Sequence, residues 1–317
     1  MGTLSAPMAQ TTGIGGTPST QTFTIDAPDV ATEGTSEPDS PTATSASRPA
    51  AAADGTVFPL LQSTLSFGDG GISADVATNR AGATITVLRR DGDAREFRLQ
   101  IPALGIDTVF TSSDLFVRGA TVDGVGRGGV RFSLLADGLD YVHFGKWLVR
   151  GAARDLPSNG GFFVTGYRTP PDAVPRRGTA AYNGRASGLV LVPEGGGYQS
   201  AVLAGQAALT ADFSARTLDG RLTNMTATGA DTVRGTWNDV TIDANFAATS
   251  GAFRGTTGAE PTRATPFALD RSAAGHIAGA LFGPSGEELG AVWSLSDGRG
   301  AAVGVIGAAQ VPARPAP

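Results

Sequence analysis

The chain has 317 residues, of which 41% are hydrophobic, with 45 glycines, 19 prolines and a formal net charge of -5. It contains no cysteine, which excludes disulfides, thiolate nucleophiles, cysteine-bound zinc and lipid attached through an N-terminal cysteine. The acidic balance leaves no basic footprint for phosphates, so nucleic acid is not an expected partner, and the density of turn residues favours strands over helices.

The opening "MGTLSAPMAQTTGIGG" has no basic region and no long apolar run. It does not read as an intact signal peptide, leaving open whether a leader was removed or none was needed. Residues 1–55 are rich in Thr, Ser, Pro and Ala with few large apolar side chains. Such a segment buries too little surface to offset chain entropy, so a disordered arm acting as a tether is expected. The tail 311–317 reads the same way, which puts the folded body at 56–310. No run approaches the roughly 20 apolar residues that a membrane-spanning helix needs.

In the body, period two dominates. Ile85 and Val87 alternate with Thr84 and Thr86, Asp91-Gly92 follows, and Phe97, Leu99 and Ile101 share one parity, the pattern of a hairpin. Further Asp-Gly steps fall at 54, 69, 123, 137, 219 and 297, and Asn-Gly steps at 159 and 183. Short strands at this spacing predict an antiparallel sandwich or barrel. "SSDLF" (112–116) is the one candidate start of a short helix. "GVGRGG" (124–129) superficially suggests a phosphate loop, but "VRFSLL" after it is a strand pattern, so a hairpin turn is expected.

"LDYVHFGKWLVR" is the most chemically suggestive strand. Alternation puts Leu139, Tyr141, His143, Gly145 and Trp147 on one face. Imidazole and phenolate both ligate iron and aromatic rings shield a haem, so Tyr141, His143 and Trp147 form a candidate haem site, the alternative being a half-buried histidine bonded to backbone. Between Arg150 and Gly178 the chain carries Pro157, Pro170, Pro171 and Pro175 and reads as a crossover. The expected division is therefore 56–175 and 176–310. Tyr167 with Arg168, Arg176 and Arg177 is the candidate partner interface, with a solvated crossover as the alternative.

Eight runs fill the second part: 179–192, 199–214, 216–227, 233–237, 240–248, 251–256, 275–282 and 288–307, the last a hairpin across Asp297-Gly298. His276 shares parity with Ala278, Ala280 and Phe282 at the head of a strand, which places it at a barrel rim as the second candidate ligand. Glu287 and Glu288 would point to opposite faces of a strand and cannot form a catalytic pair there. No Ser, His and acid trio has a supporting context, so no enzyme is expected.

Five segments in order, "DYVHFGKW" (140–147), "GTAAYNGRASG" (178–188), "LTADFSARTLDGRLTN" (209–224), "GAFRG" (251–255) and "GHIAGALFGPSGEELGAVWSL" (275–295), resemble the β-barrel domain of the transferrin-binding protein B family and its relatives, surface lipoproteins and secreted haem carriers of Gram-negative bacteria. The similarity is good over 140–310 and weak before it. It implies an all-β fold, with a strand-rich handle at 56–175 followed by an eight-stranded antiparallel barrel at 176–310. The arm would display the protein at the outer membrane or accompany its release, although the lipidated cysteine of anchored members is missing. It implies an acidic residue beside Gly283 and Pro284 that accepts turn N–H groups. It also implies a monomeric, non-enzymatic binding protein that takes haem, or a host or environmental protein, through handle and barrel-rim loops; a surface interaction module with no small ligand is the alternative. In the barrel, small Gly and Ala residues are expected to let Phe282 and Trp293 fill the lumen.

Overall fold

The computed structural model describes residues 26–27, 50–68, 71–78, 82–90, 94–118, 121–135, 138–149, 159–194, 197–229, 234–260 and 266–312. Most of the expected arm and tail, the Asp91-Gly92 turn and the start of the crossover lie outside these residues. The architecture is all-β. Two short pieces, β1 (Asp26–Ala27) and β2 (Ala50–Ala51), pair with each other. The strands β3 (Val57–Pro59), β6 (Thr84–Arg90), β7 (Ala94–Ile101) and β8 (Ile106–Phe110) make a four-stranded sheet in that order. A seven-stranded sheet runs β5 (Gly71–Thr78), β4 (Leu61–Gly68), β13 (Asn159–Gly166), β12 (Val142–Val149), β11 (Val130–Leu135), β10 (Thr121–Val125), β9 (Leu115–Arg118).

The barrel follows. Its eight strands are β14 (Thr179–Glu194), β15 (Gly197–Asp212), β16 (Thr217–Gly229), β18 (Val240–Phe246), β19 (Ala252–Ala259), β20 (Ala274–Phe282), β21 (Glu288–Ser296) and β22 (Ala301–Gln310). Each pairs antiparallel with its neighbour, and β22 returns to β14, Tyr182 opposite Gln310 through Leu191 opposite Ala301, which closes the sheet. Run 233–237 is only a short ninth piece, β17 (Arg234–Thr236), laid against β16 beyond the end of β18. Run 288–307 divides into β21 and β22, so eight barrel strands are reached by a different count of the same segments. "SSDLF" forms one 3₁₀ turn, Ser112–Asp114, capped by Asp114 on the Thr111 N–H at 2.9 Å, and then enters β9 instead of a helix.

Three large apolar cores stack through the described residues, with a small fourth cluster of Ala52, Phe58 and Val87. The first fills the barrel: Leu203, Leu209, Leu222, Met225, Trp237, Ile242, Phe253, Trp293 and their neighbours. Register shows how the largest ring is seated. Trp293 lies opposite Gly304, and Gly304 opposite Gly188, so the indole extends over two glycines where a Cβ would meet its ring within 3.0 Å. The second core joins the outer wall of β20, β21 and β22 to the seven-stranded sheet, with Leu61, Leu65, Phe144, Phe162 and Val164 against Ala278, Ala280, Phe282, Val292 and Val305. The third lies between the two handle sheets and is built on Phe97, Phe110, Phe132, Phe163 and Trp147.

This layering explains two burial patterns. β18 alternates, because one face meets the lumen and the other meets water. By contrast β21 and β22 are buried at nearly every position, since the handle covers the face that water would otherwise wet. It also corrects one expectation: Phe282 points out of the barrel into the handle seam, while Trp293 fills the lumen as expected. Outward-facing Asn183, Arg185, Gln206, Asp219, Arg221, Asp243 and Arg254 are exposed around an apolar interior, the reverse of a lipid-spanning barrel. Among the described residues no helix is long and apolar enough to cross a membrane.

Candidate functional site

The turn Gly283–Glu287 between β20 and β21 is where handle, crossover and barrel meet. Gly283 and Gly286 adopt φ of +90° and +89°, the left-handed region that only glycine occupies without strain. Glu287 Oε2 accepts the Ser285 N–H at 2.8 Å, so an acid in this loop does cap the turn. The Tyr182 hydroxyl donates to the Gly286 carbonyl at 2.7 Å, tying the turn to the first barrel strand. From the crossover, the Tyr167 carbonyl accepts the Gly283 N–H at 2.8 Å, and Arg168 bridges to Phe282.

Glu288, the next residue, reaches across the seam. The residue is 6% exposed, and its carboxylate accepts three consecutive handle N–H groups: Asp140 on Oε1 at 2.7 Å, Tyr141 and Val142 on Oε2 at 2.9 and 2.8 Å. Burial pushes its pKa above the ordinary carboxylate value, and the three donors offset part of that rise. The same corner sets the approach of β21 to the handle. A Cβ on Gly290 would sit 2.5 Å from methyl carbons of both Val142 and Val164. Gly290→Val is therefore expected to destabilise the protein by about 2 kcal/mol through overpacking, read as a lowered midpoint in urea.

The proposed haem residues are not brought to one surface. Tyr141 precedes β12, so strand parity does not extend to it. Its ring packs with Val142 and Phe144 in the seam, 2% exposed, with a Cβ at Gly283 only 2.9 Å from Cδ2. Burial, then the charges of Glu287, Asp140 and Glu288, push its phenol pKa up, which disfavours the phenolate an iron ligand requires. Trp147, also 2% exposed, lies in the other core between the handle sheets. His143 is half-buried on β12 opposite Thr165, and His276 is exposed on β20 with its N–H donating to Ser294 Oγ at 3.2 Å. Tyr167 is half-buried, edge-on to Phe58 at 5.1 Å, whereas Arg168, Arg176 and Arg177 are exposed along the crossover.

Sequence reasoning missed the two most consequential positions. Glu288 heads a continuous apolar run, an unusual place for a carboxylate and the one signal that it is buried with partners. Phe116 closes the segment whose pattern predicts a helix start, but it is 49% exposed on β9.

Residues 174–310 match the family described as the C-lobe and N-lobe beta barrels of Tf-binding protein B. No curated protein sequence matches the chain. Among solved structures, it is similar to a point mutant of transferrin-binding protein B from Haemophilus parasuis, at 19% identity and a TM-score of 0.50, covering 80% of this chain and 45% of that one. It is also similar to the transferrin-binding protein B of Neisseria meningitidis, at 17% identity, a TM-score of 0.47, and coverage of 84% and 45%. The haemoglobin receptor HpuA of Kingella denitrificans gives 14% identity, a TM-score of 0.40, and coverage of 84% and 91%. The chain thus spans less than half the length of these two transferrin-binding proteins.

Proposed function

We propose that this chain, whose barrel belongs to the transferrin-binding protein B-like β-barrel family, is a non-enzymatic binding protein of a Gram-negative bacterial surface, anchored or released, that captures an iron source. The observation that carries this is the barrel itself, matched over 174–310 and docked by three strands onto a handle sheet. Its lumen is filled by Trp237, Trp293 and Phe253, so recognition falls to the handle surface, the crossover and the rim loops. Arg168, Arg176 and Arg177 stand there as exposed cations, with Tyr167 half-buried behind them.

Two forms of the iron source follow different residues. Burial of Tyr141 and Trp147 in separate cores favours a metal-bearing protein over free haem. Haem itself would have to use His276 at the surface or open the handle at His143. Titrating haemin into the purified full chain separates the two. A Soret band weakened by His143→Ala, Tyr141→Phe or His276→Ala supports haem; no band, with capture of immobilised iron-loaded transferrin or haemoglobin, supports the protein partner. Failure of both would leave a surface interaction module without an iron-linked ligand.

A further inference from the structure

Among the described residues the barrel covers the seven-stranded sheet over β4, β5, β12 and β13, and the remaining half of that face combines exposed apolar side chains with positive charge that makes no salt bridge there. Residues directly opposite one another in antiparallel strands share a face. Register therefore places Phe116, Asp123, Ser133, Lys146 and Phe162 in one row across β9 to β13, and Val125, Arg131 and Leu148 in the next. Phe162 is 6% exposed and packs in the seam against the barrel wall. Moving along the same row, Lys146 is exposed and Phe116 is 49% exposed, while Val125 in the neighbouring row is 48% exposed. The uncovered surface is thus a continuation of a face that already binds a barrel.

Its chemistry is divided into two neighbouring pairs. Phe116 and Val125 lie diagonally on β9 and β10; Arg131 and Lys146 lie diagonally on β11 and β12. The pairs adjoin, because Val125 lies directly opposite Arg131, while Phe116 and Lys146 are three strand spacings apart, about 14 Å. Between them the Asp123 carboxylate is occupied by the Ser133 hydroxyl. Arg131 and Lys146 form no salt bridge among the described residues. Phe116 and Val125 are neighbours rather than scattered singly, and an apolar pair bordered by positive charge has the composition of an interaction site.

We propose that this open half-face docks an acidic segment of a protein partner, its carboxylates over Arg131 and Lys146 and its apolar side chains over Phe116 and Val125, an inference that rests on the partner-capture role above. Charge complementarity steers and orients such an encounter, and the desolvated phenylalanine contributes most of the affinity.

The test uses the full chain and three short synthetic peptides that alternate leucine with glutamate, glutamine or lysine, followed by fluorescence anisotropy. The glutamate peptide is expected to bind, more weakly at high salt, and the lysine peptide not at all. Phe116→Ser and the double variant Arg131→Glu, Lys146→Glu are each expected to weaken binding at least about tenfold. Arg185→Ser with Arg254→Ser, on the outer barrel wall, should leave it unchanged, and unaltered melting curves show that the surface variants fold. Equal binding of the lysine peptide, or indifference to Phe116→Ser, overturns the proposal. So does a concentration-dependent dimer dispersed by Phe116→Ser, which would give the face to a second copy. Capture of iron-loaded transferrin or haemoglobin is measured alongside: capture that survives Phe116→Ser removes this site but keeps the proposed function, whereas peptide binding without capture does the converse.

Discussion

Glu288→Ala is expected to lower stability by about 3 kcal/mol, because it removes in one step the acceptor shared by the Asp140, Tyr141 and Val142 N–H groups at a buried seam. Chemical denaturation followed by tryptophan fluorescence would measure it. A loss below about half a kcal/mol would mean that water replaces the carboxylate freely. Glu288→Gln separates charge from hydrogen bonding. The folded pKa lies above the ordinary value, so the folded state holds the proton more tightly than the unfolded chain does. The associated stability is fully present below the unfolded pKa and is lost as pH rises through the folded one. Wild-type protein should therefore gain stability between neutrality and the ordinary carboxylate range, and Glu288→Gln should flatten that part of the profile.

Trp293→Ala is expected to cost about 4 kcal/mol. The indole is fully buried, 6.2 Å between centroids from Trp237, and spans Gly188 and Gly304, whose missing side chains cannot close the space left behind. Those two glycines fix the result: neighbours with side chains would relax inward, but backbone in two hydrogen-bonded ladders cannot. Trp293→Phe should cost markedly less, since the buried Nε1 has no hydrogen-bond partner among the described residues and its removal relieves an unmet donor. Thermal unfolding of both variants checks the order. If alanine and phenylalanine proved equally costly, ring volume would not be what sets stability at this position.

Local patterning made much of this fold readable. Ile85, Val87, Phe97, Leu99 and Ile101 are all buried on one face of a hairpin, and Leu209, Ala211 and Phe213 all face the lumen, as period two requires. The order of barrel segments was likewise visible, because each strand pairs with a near neighbour in sequence. What period two cannot convey is which side of a strand is inside. In β20 both faces are apolar, so Ile277 and Leu281 enter the barrel while Ala278 and Phe282 leave it, and nothing in "GHIAGALF" distinguishes the two sets. Tyr141 was misplaced for a related reason, since the strand starts one residue after it. The Glu288 contacts join positions about 146 to 148 residues apart, beyond any local signal.

Closure of the barrel by β22 on β14 has a temporal side. Tyr182 cannot find Gln310, nor Leu191 Ala301, until β22 has been synthesised, and until then β14 keeps one edge open. Pairings this distant in sequence form slowly, and an unpaired edge invites association with other chains. The barrel thus cannot close before its last strand is available, whichever of its earlier hairpins have already formed. Until that last strand arrives, the first barrel strands must be kept from pairing with those of other copies.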